Sequence, residues 1–286
     1  MRPTGGIKRL MSRAAGAEVT VWHIPISHYS EKVRWALAYK SVAHTRCSPM
    51  PGLHMLAAAW LTRGHAITLP VARIDGQTMA DSSAIIAALE RRFPDPALLP
   101  SDESARRRAL ALEDWFDRNL GPYIRRFVFH EMRHDPERME AIVRNAAPDL
   151  AARLGGALIP FSNTLTGVRY LASGARAAER AREKVLVALE RLESELDGER
   201  YLAGGRFTVA DLTAASLLYP LVLPPEAETA IQEMPASFEA FRAGLRDRLG
   251  YRWVQEMFRR HRRPRAAASD AESGEREPAG QAAASS

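Results

Sequence analysis

The sequence predicts two units, an α/β domain of order βαβαββα followed by an all-helical domain. Three observations predict this. The length of 286 residues suits two modest domains. Strand and helix signals alternate over residues 18–99, whereas residues 102–262 carry apolar residues at helical spacing and no convincing strand. Between the two lies a short linker at 96–101.

In the first unit, Val19-Thr20-Val21-Trp22 is a β-branched and aromatic run that reads as a buried strand, and Pro25 breaks it. Residues 27–40 then turn helical, with Val33, Ala36 and Leu37 on one face and Glu31, Lys32 and Lys40 off it. A weaker strand follows at 44–47, then a helix at 53–61 stopped by Gly64. Residues 68–74 form a strand, Asp75-Gly76 is a hairpin turn, and 77–79 return. Asp81 and Ser82 cap a helix that runs to Phe93 and is closed by Pro94 and Pro96. A parallel crossover therefore comes first and an antiparallel hairpin last.

The second unit reads as helices at 102–132, 136–145, 177–196, 209–218 and 238–258, with 147–174 interrupted by glycine and proline. Leu112, Trp115, Phe116 and Leu120 share a face of the first of these. Residues 1–17 read as a flexible leader, and 263–286, poor in large apolar side chains, as a disordered tail.

Composition excludes several classes. Hydrophobic residues at 46% and charged residues at 26% fit a folded domain rather than a disordered chain. No apolar stretch approaches the roughly 18–20 residues of a membrane-spanning helix. The basic start has no apolar core behind it, which argues against a secretory signal. One cysteine, Cys47, excludes an internal disulfide framework and a cysteine-based structural zinc site. A cytoplasmic protein with an inert Cys47 and no metal site is expected. The formal charge of +6 is mild, and all but Lys8, Lys32, Lys40 and Lys184 of the basic residues are arginine. Arg259, Arg260, Arg262, Arg263 and Arg265 suit a helix C-terminus and a solvated tail, so no nucleic-acid partner is expected.

Four segments carry a family resemblance: Ser27-His28-Tyr29-Ser30-Glu31-Lys32-Val33-Arg34, Leu69-Pro70-Val71, Met79-Ala80-Asp81-Ser82-Ser83-Ala84-Ile85-Ile86 and Phe207-Thr208-Val209-Ala210-Asp211. In this order, over about residues 20–260, the chain resembles the cytosolic glutathione transferases of the serine-loop type, with no class assigned. The resemblance implies a thioredoxin-like first domain, a cis bond before Pro70, and glutathione or another low-molecular-weight thiol as cosubstrate. It also implies attack of that thiol on an apolar electrophile, and a homodimer joining the first domain of one chain to the second of the other.

The same resemblance assigns residues. A free thiol has a pKa of roughly 8.5, so the enzyme must favour the thiolate. Ser27, a hydroxyl donor at a helix N-terminus, is the expected stabiliser, with Ser30 as the alternative donor and His23 as a further possibility. The backbone at Leu69 and Pro70 would receive an extended peptide, and Asp81 with Ser82 its γ-glutamyl ammonium and carboxylate. The glycyl carboxylate needs a cation, for which Arg63, His65 and His54 are candidates. Tyr29, Trp115 and Tyr123 would line the electrophile pocket. Two other functions fit the scaffold: a non-catalytic binder of hydrophobic ligands, and a thiol-dependent reductase, which the cysteine-free loop disfavours.

Overall fold

A computed structural model describes residues 18–49, 54–133, 135, 137, 174–227 and 234–262. Four strands, β1 (Val19–Trp22), β2 (Thr45–Cys47), β3 (Val71–Ile74) and β4 (Gln77–Ala80), form one sheet in the order β2-β1-β3-β4. β1 and β2 are parallel, with Thr20 opposite Thr45; β3 runs antiparallel to both β1 and β4. The parallel pair needs a crossover, which α1 (His28–Tyr39) supplies. The antiparallel pair needs only Asp75 and Gly76, whose φ values of 48° and 82° match the two left-handed positions of a tight hairpin. Helices α2 (His54–Leu61) and α3 (Ser82–Arg92) complete a thioredoxin-like domain.

The helical domain contains α4 (Glu103–Asn119), α5 (Gly121–Met132), α6 (Ala175–Leu196), α7 (Val209–Val222), α8 (Ala236–Ala243) and α9 (Leu249–His261). Two expected helices are each broken in two. The pattern at 102–132 divides at Leu120, because Pro122 lacks the N–H needed to continue a helix but suits the first turn of a new one. The pattern at 238–258 divides after Gly244. There Glu193 of α6 accepts from the Gly250 backbone and from Arg248 Nε, each at 3.0 Å, and satisfies donors at the start of α9. The helix expected at 136–145, like the leader and the tail, falls outside the described residues. Among the described residues no helix is long and apolar enough to cross a membrane.

One continuous apolar core joins the domains, from Val19 and Val21 through α1 and α4 to Val254 and Phe258. Its axis is α7, buried at every position, which suits its nearly all-apolar sequence. The linker is held from both sides. Lys40 Nζ contacts Glu90 Oε2 at 2.6 Å and the carbonyls of Phe93 and Pro96 at 2.7 and 2.9 Å. Leu98 O in turn accepts the Val209 N–H at 2.8 Å, seating the start of α7. Glu31, Lys32 and Lys40, expected off the apolar face, are buried: α1 packs against α7 and α3 and has no solvent face over most of its length.

The one acid in α7 completes its N-terminus. Asp211 Oδ2 accepts from the Thr208 N–H and hydroxyl, and Oδ1 from the Leu202 N–H, all at 2.8 Å. Asp211→Ala should therefore cost about 2 kcal/mol or more in denaturant unfolding, since buried donors lose their partner. Burial, opposed by these bonds, raises the Asp211 pKa from 3.8 to about 6. Between those values the folded chain holds a proton that the unfolded chain has released. Wild-type stability measured against Asp211→Asn should accordingly fall as pH rises through that window.

Candidate functional site

Segments of both domains converge on a cleft of about 400 Å³. On one side, α3 presents its N-terminus. Asp81, held at φ 76°, caps it by accepting the N–H groups of Ser83 and Ala84 at 3.0 and 3.1 Å. Asp81 and the buried Ser82 thus sit in the cleft wall at the positive end of a helix. Thr68, Leu69 and Pro70 form the adjoining wall, with the Leu69–Pro70 bond cis. From α1, Tyr29 enters the cleft and donates its hydroxyl to the Asp117 carbonyl at 3.0 Å.

The helical domain contributes Asp114, Asp117 and Arg118 of α4 and Arg125 of α5. Asp117 is set by a buried network: Lys32 Nζ contacts its Oδ2 at 2.8 Å, Glu113 Oε1 at 3.0 Å and Ser83 Oγ at 2.9 Å. Ser83 Oγ also donates to Asp117 Oδ2 at 2.7 Å. Among the described residues Asp117 Oδ1 has no partner and is left as a buried acceptor. Burial first, and then the Asp117 charge, push the Tyr29 phenol upward, so it stays protonated. Burial and the Arg125 guanidinium lower His28 to about 3 against a hydrogen bond to the Gly121 backbone, so its ring is neutral. Gly121 is itself required here, because a Cβ would collide with the Tyr29 hydroxyl.

The structure brings Tyr29, Leu69, Pro70, Asp81 and Ser82 together and places the other expected residues elsewhere. Ser27 caps α1, its Oγ accepting the Ser30 N–H at 3.3 Å; it stands two residues from Tyr29 but outside the cleft lining. Ser30 is fully buried, with its Oγ accepting the Ile24 N–H at 3.2 Å. His23 is buried against Arg34, whose Nη1 lies 2.9 Å from Nδ1. Arg63 and His65 line a separate groove with Trp60 and Arg73, and His54 is buried at the start of α2. Trp115 packs edge-on against Phe116 with Arg191 of α6 over its ring, and Tyr123 is half-buried against the core. Cys47 is half-buried with its thiol pKa raised by burial, and it does not line the cleft.

The cations that the cleft does contain, Arg118 and Arg125, were not anticipated. Asp114, Asp117 and Arg118 lie three and four residues apart and so share a helix face, which was a readable signal. Arg125 joins them only because the chain turns at Leu120–Gly121. His130-Glu131-Met132-Arg133-His134 also has the spacing of a zinc-protease helix, which the expectation of no metal site overlooked. That motif needs both histidines one turn apart on a continuing helix, and α5 stops at Met132. Glu131 accepts the Ser237 hydroxyl at 2.5 Å, and His134 falls outside the described residues. Among the described residues no group of three acidic, histidine or cysteine side chains is placed to hold a metal.

Residues 21–97 match the glutathione S-transferase N-terminal domain family and 150–260 the C-terminal domain family. The chain is 27% identical over 211 residues to FtsZ-localized protein A of Caulobacter vibrioides, covering 70% of this chain and 76% of that protein. It is 27% identical over 219 residues to glutathione S-transferase TCHQD of Arabidopsis thaliana, covering 71% and 77% respectively. The theta class glutathione S-transferase of Xanthomonas axonopodis pv. citri, solved with glutathione bound, superposes with a TM-score of 0.53. The two are 21% identical over 82% of this chain and 96% of that one. In sequence, domain order and backbone, the chain belongs to the glutathione S-transferase superfamily.

Proposed function

We propose that the cleft binds a γ-glutamyl thiol peptide such as glutathione, and that the protein activates its thiol for attack on an apolar electrophile. The observation that carries this is the sign pattern of the lining: a capped helix N-terminus with Asp81, opposite Arg118 and Arg125. A γ-glutamyl peptide has an ammonium and a carboxylate on one carbon and a second carboxylate at its far end. The Ser82 N–H and hydroxyl take the first carboxylate, Asp81 through its second oxygen the ammonium, and the two arginines the second carboxylate. Asp117 Oδ1 offers a further acceptor for a ligand N–H.

The reactive group belongs to Ser27. Its Oγ accepts a backbone N–H, and its own proton remains to donate to a thiolate at the positive end of α1. The bound thiol releases its proton to solvent. The sulfur then forms a bond to the electrophilic carbon, and the leaving group departs with its electron pair. The Tyr29 hydroxyl is committed to the Asp117 carbonyl and serves as a wall. A thiol reductase would need a cysteine nucleophile, and the cleft lining has none.

A second reading, a non-catalytic binding protein on the same scaffold, is favoured by two observations. Ser27 stands outside the cleft lining, and one relative is named for localisation to FtsZ. In either reading we infer a homodimer. Leu56 and Trp60, one helical turn apart on α2, are 70% and 79% exposed, more than an isolated domain surface favours.

Four outcomes are expected. Calorimetry should show that the wild type binds glutathione, and that Ser82→Ala weakens binding about ten- to a hundredfold, as loss of a charge-assisted hydrogen bond does. Asp81→Asn should hurt glutathione more than a thiol without the free amino group, and equal losses for both would reduce the pair to a helix cap. Ser27→Ala should keep glutathione affinity yet raise the apparent pKa of the bound thiol and slow conjugation. An unchanged pH–rate profile would overturn the assignment of Ser27, whereas absence of conjugation by the wild type would leave the non-catalytic reading standing. Light scattering at micromolar concentration should give twice the chain mass, whereas a monomer would remove the dimer from both readings.

A further inference from the structure

We infer that Tyr219 and Arg262, both in the helical domain, are positioning residues that clamp the loop carrying Ser27; the catalytic part of this inference rests on the reading of Ser27 just given. The loop joins β1 to α1, and its backbone carbonyls are taken in turn. Ile24 O accepts from the Ser27 N–H at 3.0 Å and from Arg34 Nη1 at 3.3 Å. Pro25 O accepts from Arg34 Nη2 at 3.0 Å. Ile26 O accepts the Tyr219 hydroxyl at 2.6 Å, from the middle of the core helix α7. Three consecutive carbonyls before Ser27 are thus fixed by groups that do not belong to the loop's own backbone.

Arg34 reaches two of them because it is held in turn. Glu31 Oε2 accepts from Arg34 Nη2 and Nε at 2.6 and 2.9 Å, while its other oxygen, Oε1, accepts from Arg262 Nε at 2.6 Å. The three charged side chains are 0–1% exposed. Arg262 follows directly on α9, and the end of that helix is bound to α1 separately: His261 O accepts the Trp35 Nε1–H at 3.0 Å, and the His261 ring stacks on Phe207.

The division of the Glu31 carboxylate is the essential feature. With Arg262 on Oε1, Arg34 binds only Oε2 and keeps its Nη groups aimed at the loop. Without Arg262, a buried oxygen loses its donor, and the favoured repair is a two-pronged Glu31–Arg34 pair that draws Arg34 off the carbonyls. Ser27 Oγ would then shift relative to the sulfur, and a displacement near 1 Å is enough to cost catalysis heavily. Neither Tyr219 nor Arg262 lines the cleft, so the expected effect falls on the chemical step rather than on binding.

Tyr219→Phe removes one buried oxygen with no change of shape, and Arg262→Met removes the charge at similar length. Each should lower kcat for glutathione conjugation about tenfold while the KM for glutathione stays within about twofold. Arg262→Lys should recover part of the loss. Independently of catalysis, amide hydrogen exchange at Ile24, Ser27 and Ser30 should accelerate about tenfold in both variants, with α3 and α7 unchanged. Acceleration spread evenly over the molecule, or none at the loop, would overturn the clamp. Loop-confined acceleration in a protein that conjugates nothing supports the clamp and places the failure on the catalytic reading of Ser27.

Discussion

The arrangement of this protein depends on the burial of the charges of α1. A helix reading HYSEKVRWALAY has an amphipathic sequence, yet Glu31, Lys32 and Arg34 are all 0–1% exposed. An unpaired buried charge costs several kcal/mol, so each of these groups requires a partner wherever the helix comes to rest. Arg34 pairs with Glu31 inside α1, and the remaining partners come from other elements: Ser83 of α3, Glu113 and Asp117 of α4, and Arg262 after α9. Removing one member of such a set typically costs about 3–5 kcal/mol, more than most single apolar contacts contribute. The apolar core between the domains supplies attraction without direction. The α1 charges select one docking geometry out of many that would bury similar area.

That geometry also constructs the cleft. Lys32 draws Ser83 and Asp117 to a single point, and these residues stand on opposite cleft walls, one in each domain. The width of the cleft between the α3 N-terminus and the α4 acids is therefore set by one buried ammonium. Gly121 contributes a second dimension, because only a residue without Cβ lets Tyr29 reach the Asp117 carbonyl. Binding-site shape and domain docking are here the same set of contacts.

What the sequence revealed follows the range of the interaction involved. The Asp75-Gly76 turn, the Asp81 cap and the Thr208–Asp211 capping box are satisfied within a few residues, so their patterns could be read directly. The helix breaks at Leu120 and Gly244 were missed because apolar periodicity continued across them. The reasons to stop, Pro122 in one case and a distant Glu193 in the other, compete with that periodicity. Lys32 and Lys40 were placed off the apolar face because their partners lie about 50 or more residues away, and no local pattern announces them. Within the cleft, Asp81, Ser82, Leu69 and Pro70 were legible as short motifs, whereas Arg118 and Arg125 were obscured by an arginine-rich composition in which any single arginine carries little information.

The Ser27 loop and the cleft are held by separate contacts. The cleft is built by Lys32, Asp81 and Asp117, whereas the loop is held by Arg34 and Tyr219. These two contact sets share α1 but no side chain, so changes in one leave the other intact. A chain that loosened only the second set would still present a shaped, charged cleft between two docked domains. On the proposed reading, it would retain the capacity to bind while losing the fixed Ser27 hydroxyl. On the proposed reading of Ser27 and of the cleft, affinity and reactivity are thus separable in this architecture.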